Sequence, residues 1–386
     1  MKEYVIGDVC TSLFSGGTPS TKNEEYWTGE NRWLSSGETR NRFIIDTDKR
    51  ISEAAIQESS TKLALKNDVV VATAGQGHTR GQVSFLKVDT YINQSVIALR
   101  ANEEIILPEY LFYNLSSRYS ELRKISDGAS IRGSLSGNIL KNIPIFLPSL
   151  EDQRKIVSIL KPIDDKILLN EQINKNLFEL IEVVFEREIL QSSDLMTWKQ
   201  ENLTSIANFQ NGLAMQKFRP SKNEEHPLKV IKIKELSSQG FSESSELCSG
   251  TIDKKQIVND GDLLFSWSGT LLVDFWSGGR GGLNQHLYKV TSKGYPIWLI
   301  YCWLKHHLRE FQTIAKAKAT TMGHIKKADL ENAIVYIPSA EKLETLDKLL
   351  HPVLEEIINN RVASRFLGMT RDELLPRLLS GEIELQ

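Results

Sequence analysis

Polar and basic side chains are concentrated in loops of the first half of the chain, and their types suit contacts with nucleic acid. Arginine, lysine, glutamine and asparagine pair with the edges of bases, and arginine, lysine and serine also bind phosphate oxygens. Gly75, Gly77 and Gly81 lie within one cluster, where they would let a ligand approach the backbone closely. The predicted DNA-binding residues of this half are Arg40, Arg42, Gln76, His78, Arg80, Ser130 and Arg132.

The second half contains comparable clusters at comparable places. Any one of these residues alone is more often an ordinary solvated side chain, so a single arginine or lysine predicts little. The clusters as a set recur in both halves, and this recurrence favours binding. The predicted DNA-binding residues of this half are Lys232, Lys234, Trp267, Ser268, Arg280, Lys316, Lys318 and Thr320.

No catalytic motif accompanies these loops in the sequence. The stretch from Gly75 to Gly81 lacks both the Lys-Ser/Thr pair of a P-loop and the spacing of a dinucleotide-binding loop. His306 and His307 have no second ligand pair at metal-binding spacing, which favours a solvated helix face over a metal site. Neither a nucleophilic triad nor a base-methylation motif is present. We therefore predict no catalysis, no metal and no cofactor in this chain.

The composition is ordinary for a soluble protein, with 40% hydrophobic and 25% charged residues over 386 positions. This length predicts two globular units plus connecting structure. The formal net charge is −2, so binding to nucleic acid would depend on local patches. No apolar run has the length of a membrane span, and three scattered cysteines give neither a disulfide framework nor a zinc motif. We expect a cytoplasmic protein without a membrane partner.

A long amphipathic segment in the middle of the chain is one of the elements that would position the loops. Ser149 can cap a helix, and apolar residues then recur in steps of three and four from Ile156 to Val184. Asn170 and Asn174 lie in the same seam, which is the pattern of a coiled coil with a polar centre. Pro162 lacks a backbone N–H, so we predict that a short helix ends before it and a longer one begins at it.

The C-terminal segment repeats this design at a constant shift of about 190 residues. Pro162 corresponds in this way to Pro352. Asn170 corresponds to Asn360. Any two amphipathic helices would share recurring leucines, but they would not share a proline and an asparagine at the same offset. We therefore predict that the two helices pack together, antiparallel or crossing, as a rigid spacer. The predicted seam residues are Ile163, Ile167, Asn170, Asn174, Leu177, Val353, Ile357, Asn360 and Leu367.

The two globular regions share one order of elements. A strand over 68–73 corresponds to one over 262–267, and a polar loop follows each. The pair Asn93-Gln94 corresponds to Asn284-Gln285. Similar frameworks with different loops are typical of duplicated domains that recognise different targets. We predict an α+β fold of two mixed α/β recognition domains in tandem repeat, 1–147 and 192–337, separated by two long helices packed as a coiled-coil spacer, 148–191 and 338–386.

Four features form a combined pattern that is specific although each is weak alone. They are Leu147 to Ile156 (LPSLEDQRKI), Ile163 to Ile167 (IDDKI), the two Asn-Gln pairs, and the ending Leu374 to Ile383 (LLPRLLSGEI). In this combination, and in its duplicated layout over the whole chain, the sequence resembles the specificity subunits of type I restriction-modification systems. The second copy departs from the first at Ala340 to Leu343, which lacks the Asp-Gln pair.

The resemblance implies two target-recognition domains, each of which reads one half of a bipartite, asymmetric sequence in double-stranded DNA. It implies that the helix pair sets the gap between the halves and binds two methylase subunits, to which restriction subunits with translocase and nuclease activity add. S-adenosylmethionine, ATP and Mg²⁺ would then be bound by those partners. At about 1.5 Å per residue, the longer predicted helix has a length on the order of 40 Å. This length suits two recognition domains separated by one turn of B-DNA, which is about 34–36 Å.

Two other functions stay open from the sequence. The chain could be a duplicated scaffold that binds proteins or glycans, with the polar loops as ordinary surface. It could also be the specificity unit of a methyltransferase that has no nuclease partner.

Overall fold

A computed structural model describes residues 1–75, 79–128, 135–317 and 323–383. The chain divides into two compact units. The first unit contains Met1–Asp165 together with Met369–Gln386, and the second contains Lys166–Gly368. Each unit thus includes part of both long helical segments. The four segments predicted from the sequence stay a prediction.

Short runs of β-branched and aromatic residues form the strands of the first unit, because such side chains pack well on a pleated sheet. Val69–Ala72, for example, is fully buried. The strands are β1 (Lys2–Val5), β2 (Cys10–Ser15), β3 (Asn31–Leu34), β4 (Phe43–Ile44), β5 (Lys49–Ile51), β6 (Lys62–Ala64), β7 (Val69–Ala72), β8 (Val83–Leu86), β9 (Thr90–Ile92), β10 (Val96–Ala101) and β11 (Pro144–Leu147). The helices are α1 (Glu53–Gln57), α2 (Pro108–Ser117), α3 (Tyr119–Gly128) and α4 (Gly137–Lys141), and α5 (Leu150–Phe185) begins here.

The second unit repeats this succession of elements. Its strands are β12 (Lys199–Asn202), β13 (Ala207–Asn211), β14 (Leu228–Ile231), β15 (Leu247–Cys248), β16 (Ile257–Val258), β17 (Leu263–Ser266), β18 (Val273–Phe275), β19 (Gly281–Leu283), β20 (Leu287–Ser292) and β21 (Ile334–Ile337). Its helices are α6 (Leu203–Ile206), α7 (Ile233–Ser238), α8 (Ile297–Ala317) and α9 (Lys327–Asn332), and α10 (Ala340–Ser380) begins here. A single π-helical turn, Glu186–Leu190, follows α5.

The sheets of the two units have matching strand orders, apart from β4 at the edge of the largest sheet, which has no counterpart among the described residues of the four-stranded sheet of the second unit. In the first unit the orders are β1-β11, β2-β10-β7-β8-β4 and β5-β3-β9-β6. In the second they are β12-β21, β13-β20-β17-β18 and β15-β14-β19-β16. The middle pair of the last sheet, β3 with β9 or β14 with β19, is parallel in both. This agreement, together with the long helices, confirms the predicted tandem α+β fold.

The prediction that Pro162 separates two helices is wrong. Helix α5 continues through Pro162, and α10 likewise continues through Pro352. Both prolines are exposed, so the carbonyl groups that lose their helical partners can bind water. Leu160 and Asp164 are buried on either side of Pro162 and hold the helix in place. This packing outweighs the local cost of proline, which is about 3 kcal/mol.

Within the second unit, α5 and α10 pack antiparallel around three buried asparagines. The side-chain amide of Asn170 donates to the Asn360 backbone oxygen at 3.3 Å and to Ser364 Oγ at 3.1 Å. Asn174 donates to the Ile357 oxygen at 3.1 Å and accepts from Asn360 Nδ2 at 3.1 Å. A shift of one helix along the other would leave these buried amides unpaired, so they fix the register.

This contact pattern confirms the predicted helix pair with a polar centre. Apolar residues of the seam lie on both sides of the asparagines along the helices. Of the predicted seam residues, Asn170, Asn174, Ile357 and Asn360 are buried, whereas Ile163, Ile167, Leu177, Val353 and Leu367 are half-buried.

In the first unit, a buried carboxylate ties the long helices to the sheet region. Asp164 is 1% exposed and accepts hydrogen bonds from Arg42 Nε at 3.2 Å and from Arg371 Nη1 at 2.7 Å. The Arg42 guanidinium lies 4.5 Å from the centre of the Phe112 ring. Because the charges are largely withdrawn from water, each depends on its partners.

In the second unit, the helix provides the cations instead. Arg361 of α10 donates to the two carboxylate oxygens of Asp274 at 2.8 and 3.1 Å. Arg365 donates to both oxygens of Asp260 at 2.7 and 2.8 Å. The two units therefore attach their helices with opposite charge patterns, which disfavours exchange of one attachment for the other.

We predict that Asp164→Asn destabilises the first unit by about 3–5 kcal/mol, because it leaves two partly buried arginines without their counter-ion. Asp165→Asn is the matched control. Asp165 is 42% exposed and pairs with Lys87 and Lys161, so its loss should cost at most about 1 kcal/mol. Hydrogen exchange of peptides from α2 reports the first unit separately. Equal protection of α2 in the two variants would contradict the structural role of Asp164.

Candidate nucleic-acid interface

Three segments that are distant in the sequence meet at Thr73 in the first unit. The Thr73 N–H donates to the Ser95 oxygen at 2.9 Å, and the Leu135 N–H donates to the Thr73 oxygen at 3.0 Å. The Asn93 N–H donates to the Leu34 oxygen at 3.1 Å and so adds the end of β3. We call Thr73, Asn93 to Ser95 and Leu135 the first junction.

The second unit repeats this frame with different side chains. The Trp267 N–H donates to the His286 oxygen at 3.4 Å, and the Ile325 N–H donates to the Trp267 oxygen at 3.0 Å. The Asn284 N–H donates to the Ile231 oxygen at 3.1 Å at the end of β14. We call Trp267, Asn284 to His286 and Ile325 the second junction. Similar backbone bonds thus present Thr73 and Ser95 in one unit and Trp267 and His286 in the other.

The asparagine of each Asn-Gln pair is a buried structural residue. Asn93 is 8% exposed and its Oδ1 accepts from the Ser95 N–H at 3.0 Å. Asn284 is 6% exposed and its Oδ1 accepts from the His286 N–H at 3.2 Å. These side chain to backbone bonds close an Asx turn, which fixes the direction of the residue that follows each asparagine.

A glycine allows another segment to approach the turn closely in each unit. The Gly16 N–H donates to the Asn93 oxygen at 3.2 Å, and a Cβ at Gly16 would lie 1.8 Å from the Ile92 oxygen. A Cβ at Gly212 would lie 2.2 Å from the Asn284 oxygen. No side chain fits at either place, so glycine is required there for steric reasons.

Two predicted loops of the first unit are tied together beside its junction. Arg80 is buried and ion-paired with Asp127 at the end of α3, and Arg123 Nη1 donates to the Arg80 oxygen at 3.4 Å. Thr18 donates its hydroxyl to Oε1 of the exposed Gln94. Four predicted residues lie outside the described residues. Gln76 and His78 are in the stretch 76–78, and Ser130 and Arg132 are in the stretch 129–134.

The second junction is aromatic and polar. The Trp267 ring lies 5.8 Å from the His286 ring and 5.9 Å from that of Tyr288, centre to centre. Ser268 Oγ is 2.9 Å from His286 Nδ1, and Ser268 forms a β-bridge with His324. Burial raises the pKa of Tyr288, so its hydroxyl stays neutral at physiological pH. Ser268 is buried, whereas the Trp267 and His286 rings are partly exposed and can stack on or hydrogen-bond to a ligand.

Several predicted residues lie on the segments that lead into or out of the junctions. Arg40 is exposed in the turn that follows β3, and Lys234 is exposed on α7 after β14. Lys316 is exposed at the end of α8. Lys318 and Thr320 lie outside the described residues, between α8 and the second junction.

Other predicted residues have contacts away from the junctions. Lys232 pairs with Glu246 at 2.5 Å, and Arg42 pairs with Asp164. Arg280 is exposed just before β19, at the opposite end of that strand from Asn284. The prediction also missed some residues of the junctions. The recurrence of the Asn-Gln pair in the sequence could have indicated them. The omitted residues include Gln94, Gln285 and His286, and also His324, which lies beside the second junction and bridges to Ser268.

Cys10 and Cys248 have thiols that are not activated for chemistry. Burial is the main cause that raises the pKa of the Cys10 thiol to about 12 and that of Cys248 to about 11, so neither is an activated thiolate. Within 1–75, 79–128, 135–317 and 323–383, no group of three or more His, Cys, Asp and Glu side chains could hold a metal ion. No helix in the same described part combines the length and hydrophobicity of a membrane span.

Comparison with known families addresses the role of these two junctions. The type I restriction modification DNA specificity domain matches residues 1–179 and 196–363. The chain belongs to this family. Both junctions lie inside the matched regions. The prediction of a non-catalytic DNA-specificity subunit is therefore confirmed, and the family match favours DNA recognition over a protein- or glycan-binding scaffold.

Individual relatives extend over nearly the whole specificity subunit. The chain is 27% identical to the type I restriction enzyme MjaIX specificity subunit of Methanocaldococcus jannaschii, over 99% of this chain and 92% of that protein. It is 20% identical to the HindI specificity subunit of Haemophilus influenzae, over 99% of each. The crystal structure of the type I system S subunit from M. genitalium shares the fold, with a TM-score of 0.57, 15% identity, and coverage of 98% of this chain and 95% of that one.

We predict that Gly16→Ala destabilises the first junction by about 1–3 kcal/mol, because the new methyl group forces the backbone away from Ile92. Gly37→Ala is the matched control in the same unit, since its Cβ would meet no atom closer than 3.8 Å. Hydrogen exchange of peptides from β9 and β10 checks the difference. Equal protection in the two variants would show that close approach at Gly16 is not required.

Proposed function

We propose that each junction, with the loops around it, reads one half of a bipartite, asymmetric sequence in double-stranded DNA. The observation that supports this is the repeated backbone frame with different side chains in its two copies. A shared frame gives both domains a similar mode of approach, whereas different loops give them different base preferences. Two different readers in one chain fit an asymmetric bipartite site better than a palindrome.

For the first half-site, we assign base contacts to the loops around the first junction. Gln76, His78, Ser130 and Arg132 have the donors and acceptors that major-groove edges require. The ion pair of Arg80 with Asp127 supports this assignment because it joins the residues that flank both loops. Arg80 itself then serves to hold the loops together. Arg42, which is paired with Asp164, serves to attach α5.

For the second half-site, we assign the contacts to Trp267, Ser268, Lys316, Lys318 and Thr320. The rings of Trp267 and His286 would contact the apolar or stacked faces of the nucleic acid, while the buried Ser268 would hold the His286 ring in position through the contact of its Oγ with Nδ1. The lysines can bind base edges as well as phosphates, and their charge matters because the whole chain has a net charge of −2 and provides no bulk attraction. Arg280 is a weaker candidate because it lies at the far end of β19.

We further propose that the long helices set the gap between half-sites and bind methylase subunits, of which we expect two. Several large apolar side chains on α5 and α10 support this, since they are exposed in the second unit and would be covered by a partner. They are Leu169 (47% exposed), Leu180 (41%), Val183 (60%), Leu349 (50%) and Phe366 (56%).

The remaining partners follow from this proposed role. Restriction subunits would add to the methylase complex and provide ATP-driven translocation and cleavage. S-adenosylmethionine, ATP and Mg²⁺ would be bound by those subunits and not by this chain. A DNA-reading role also keeps the cytoplasm as the expected compartment.

Mapping of methylated bases in genomic DNA tests the proposal directly. In cells that contain the partner methylase, a bipartite methylated motif should be present with this chain and absent without it, because this chain would select the site. Cells that lack only the methylase are the control for unrelated methylation. Identical methylation with and without the chain would contradict the proposed function.

Loop variants test the assignment of one half-site to each unit. Gln76→Ala with His78→Ala should relax only one half of the motif, and Lys316→Ala with Lys318→Ala should weaken or relax only the other. Each lost base contact should reduce discrimination by about 1–3 kcal/mol, or roughly 5- to 150-fold. The two double variants are controls for each other in the same mapping experiment. Equal loss in both halves from either one would contradict separate readers.

A further inference from the structure

Gln94 and Gln285 are the same residue at the same place in two junctions whose other side chains differ. Ser95 corresponds to His286, and Thr73 corresponds to Trp267, as their matching backbone bonds show. The asparagine before each glutamine is explained by its buried turn. The glutamines have no such explanation, since Gln94 is exposed and Gln285 is half-exposed.

The position of each glutamine is firmly fixed. Asn93 and Asn284 close the turn from one side, and the ends of β3 and β14 bond to their N–H groups. On the other side, Gly16 donates to the Asn93 oxygen, and the Gln285 N–H donates to the Leu213 oxygen at 2.9 Å. The backbone beneath each glutamine therefore loses little conformational entropy on binding, which favours affinity.

The Gln94 amide is also oriented by its partner. Thr18 donates to Oε1, and among the described residues no acceptor is bonded to Nε2. Its two N–H groups therefore remain available to an acceptor outside the chain. In the second unit, Gln285 Nε2 makes only a 3.4 Å contact with His286 Nε2. A donor without a charge is well suited to a phosphate oxygen or to a base acceptor.

The presence of the same glutamine in both units favours a phosphate oxygen over a base as the acceptor. Two domains that read different half-sites need different base-contacting side chains, and the loops around the junctions do differ. A residue that both domains retain in the same rigid turn is better suited to the part of DNA that does not vary with sequence. That part is the sugar-phosphate backbone, whose contacts fix the register of a protein on the duplex.

We propose that Gln94 and Gln285 each donate a side-chain amide hydrogen bond to a DNA phosphate, one in each half-site, and thereby position the loops of their own unit over the bases. This inference rests on the proposed function. It adds a neutral contact with the DNA backbone at the same place in both units.

The test uses the full chain in complex with its methylase. Gln94→Ala and Gln285→Ala should each weaken binding to the cognate duplex by roughly 10- to 100-fold, the range for a hydrogen bond to a charged group. Gln94→Glu and Gln285→Glu should weaken it further, because a carboxylate repels phosphate. The methylated motif should stay unchanged at every base position. In the alanine variants the slope of affinity against salt concentration should not change either, since a neutral contact releases no counter-ion.

Matched controls are available in each unit. Gln57 on α1 and Gln200 on β12 are exposed glutamines outside the junctions. Their replacement by Ala or Glu introduces the same chemical change and should leave affinity within about twofold of the unmodified complex, as expected for surface substitutions.

The outcomes separate this inference from the function on which it rests. If the Gln94 and Gln285 variants bind like the Gln57 and Gln200 controls, the phosphate contact is wrong while the DNA-reading function stands. If either variant relaxes one base position of the motif, that glutamine reads a base and the inference is also wrong. If the unmodified complex shows no chain-dependent motif, the proposed function itself fails.

Discussion

The junction of each unit depends on one buried hydrogen-bonded turn. Asn93 and Asn284 lie almost entirely out of water, where an amide without partners would destabilise the fold by about 1–3 kcal/mol. Each is satisfied by bonding its own chain two residues on and by donating its N–H to a neighbouring strand. Because these bonds use backbone groups, the turn tolerates different neighbours. Thr73 and Trp267 can therefore occupy equivalent positions without a change of frame.

The charged residues divide into two groups by their access to water. Arg42 and Arg80 have loop positions that suggest DNA contacts, but their side chains turn inward and meet Asp164 and Asp127. Arg40 and other exposed side chains around the junctions stay available to a ligand. A buried guanidinium requires a carboxylate partner, whereas an exposed one does not. This division explains how a chain with a net charge of −2 can contain basic loops and still fold around ion pairs.

The long helices show how local and tertiary effects compete. Proline at position 162 disfavours a continuous helix locally. Helix α5 nevertheless remains helical through this position, because buried residues on both sides of the proline pack against the rest of the unit. Polar asparagines in an apolar seam would be unfavourable in isolation, but Asn170, Asn174 and Asn360 bond one another or the opposite backbone. The bonds specify one antiparallel register. Apolar side chains on the outer faces of the helices, such as Val183 and Phe366, remain exposed.

The sequence by itself determined the duplication, the two long helices and their polar centre, because these are periodic and recur at a constant shift. It also indicated which loops are polar. It could not determine which side chains remain exposed, because Arg42 finds Asp164 more than a hundred residues away and such a pairing has no local signature. Only the tertiary structure brought Thr73, Asn93 and Leu135 together, since backbone hydrogen bonds between distant segments do not depend on side-chain type.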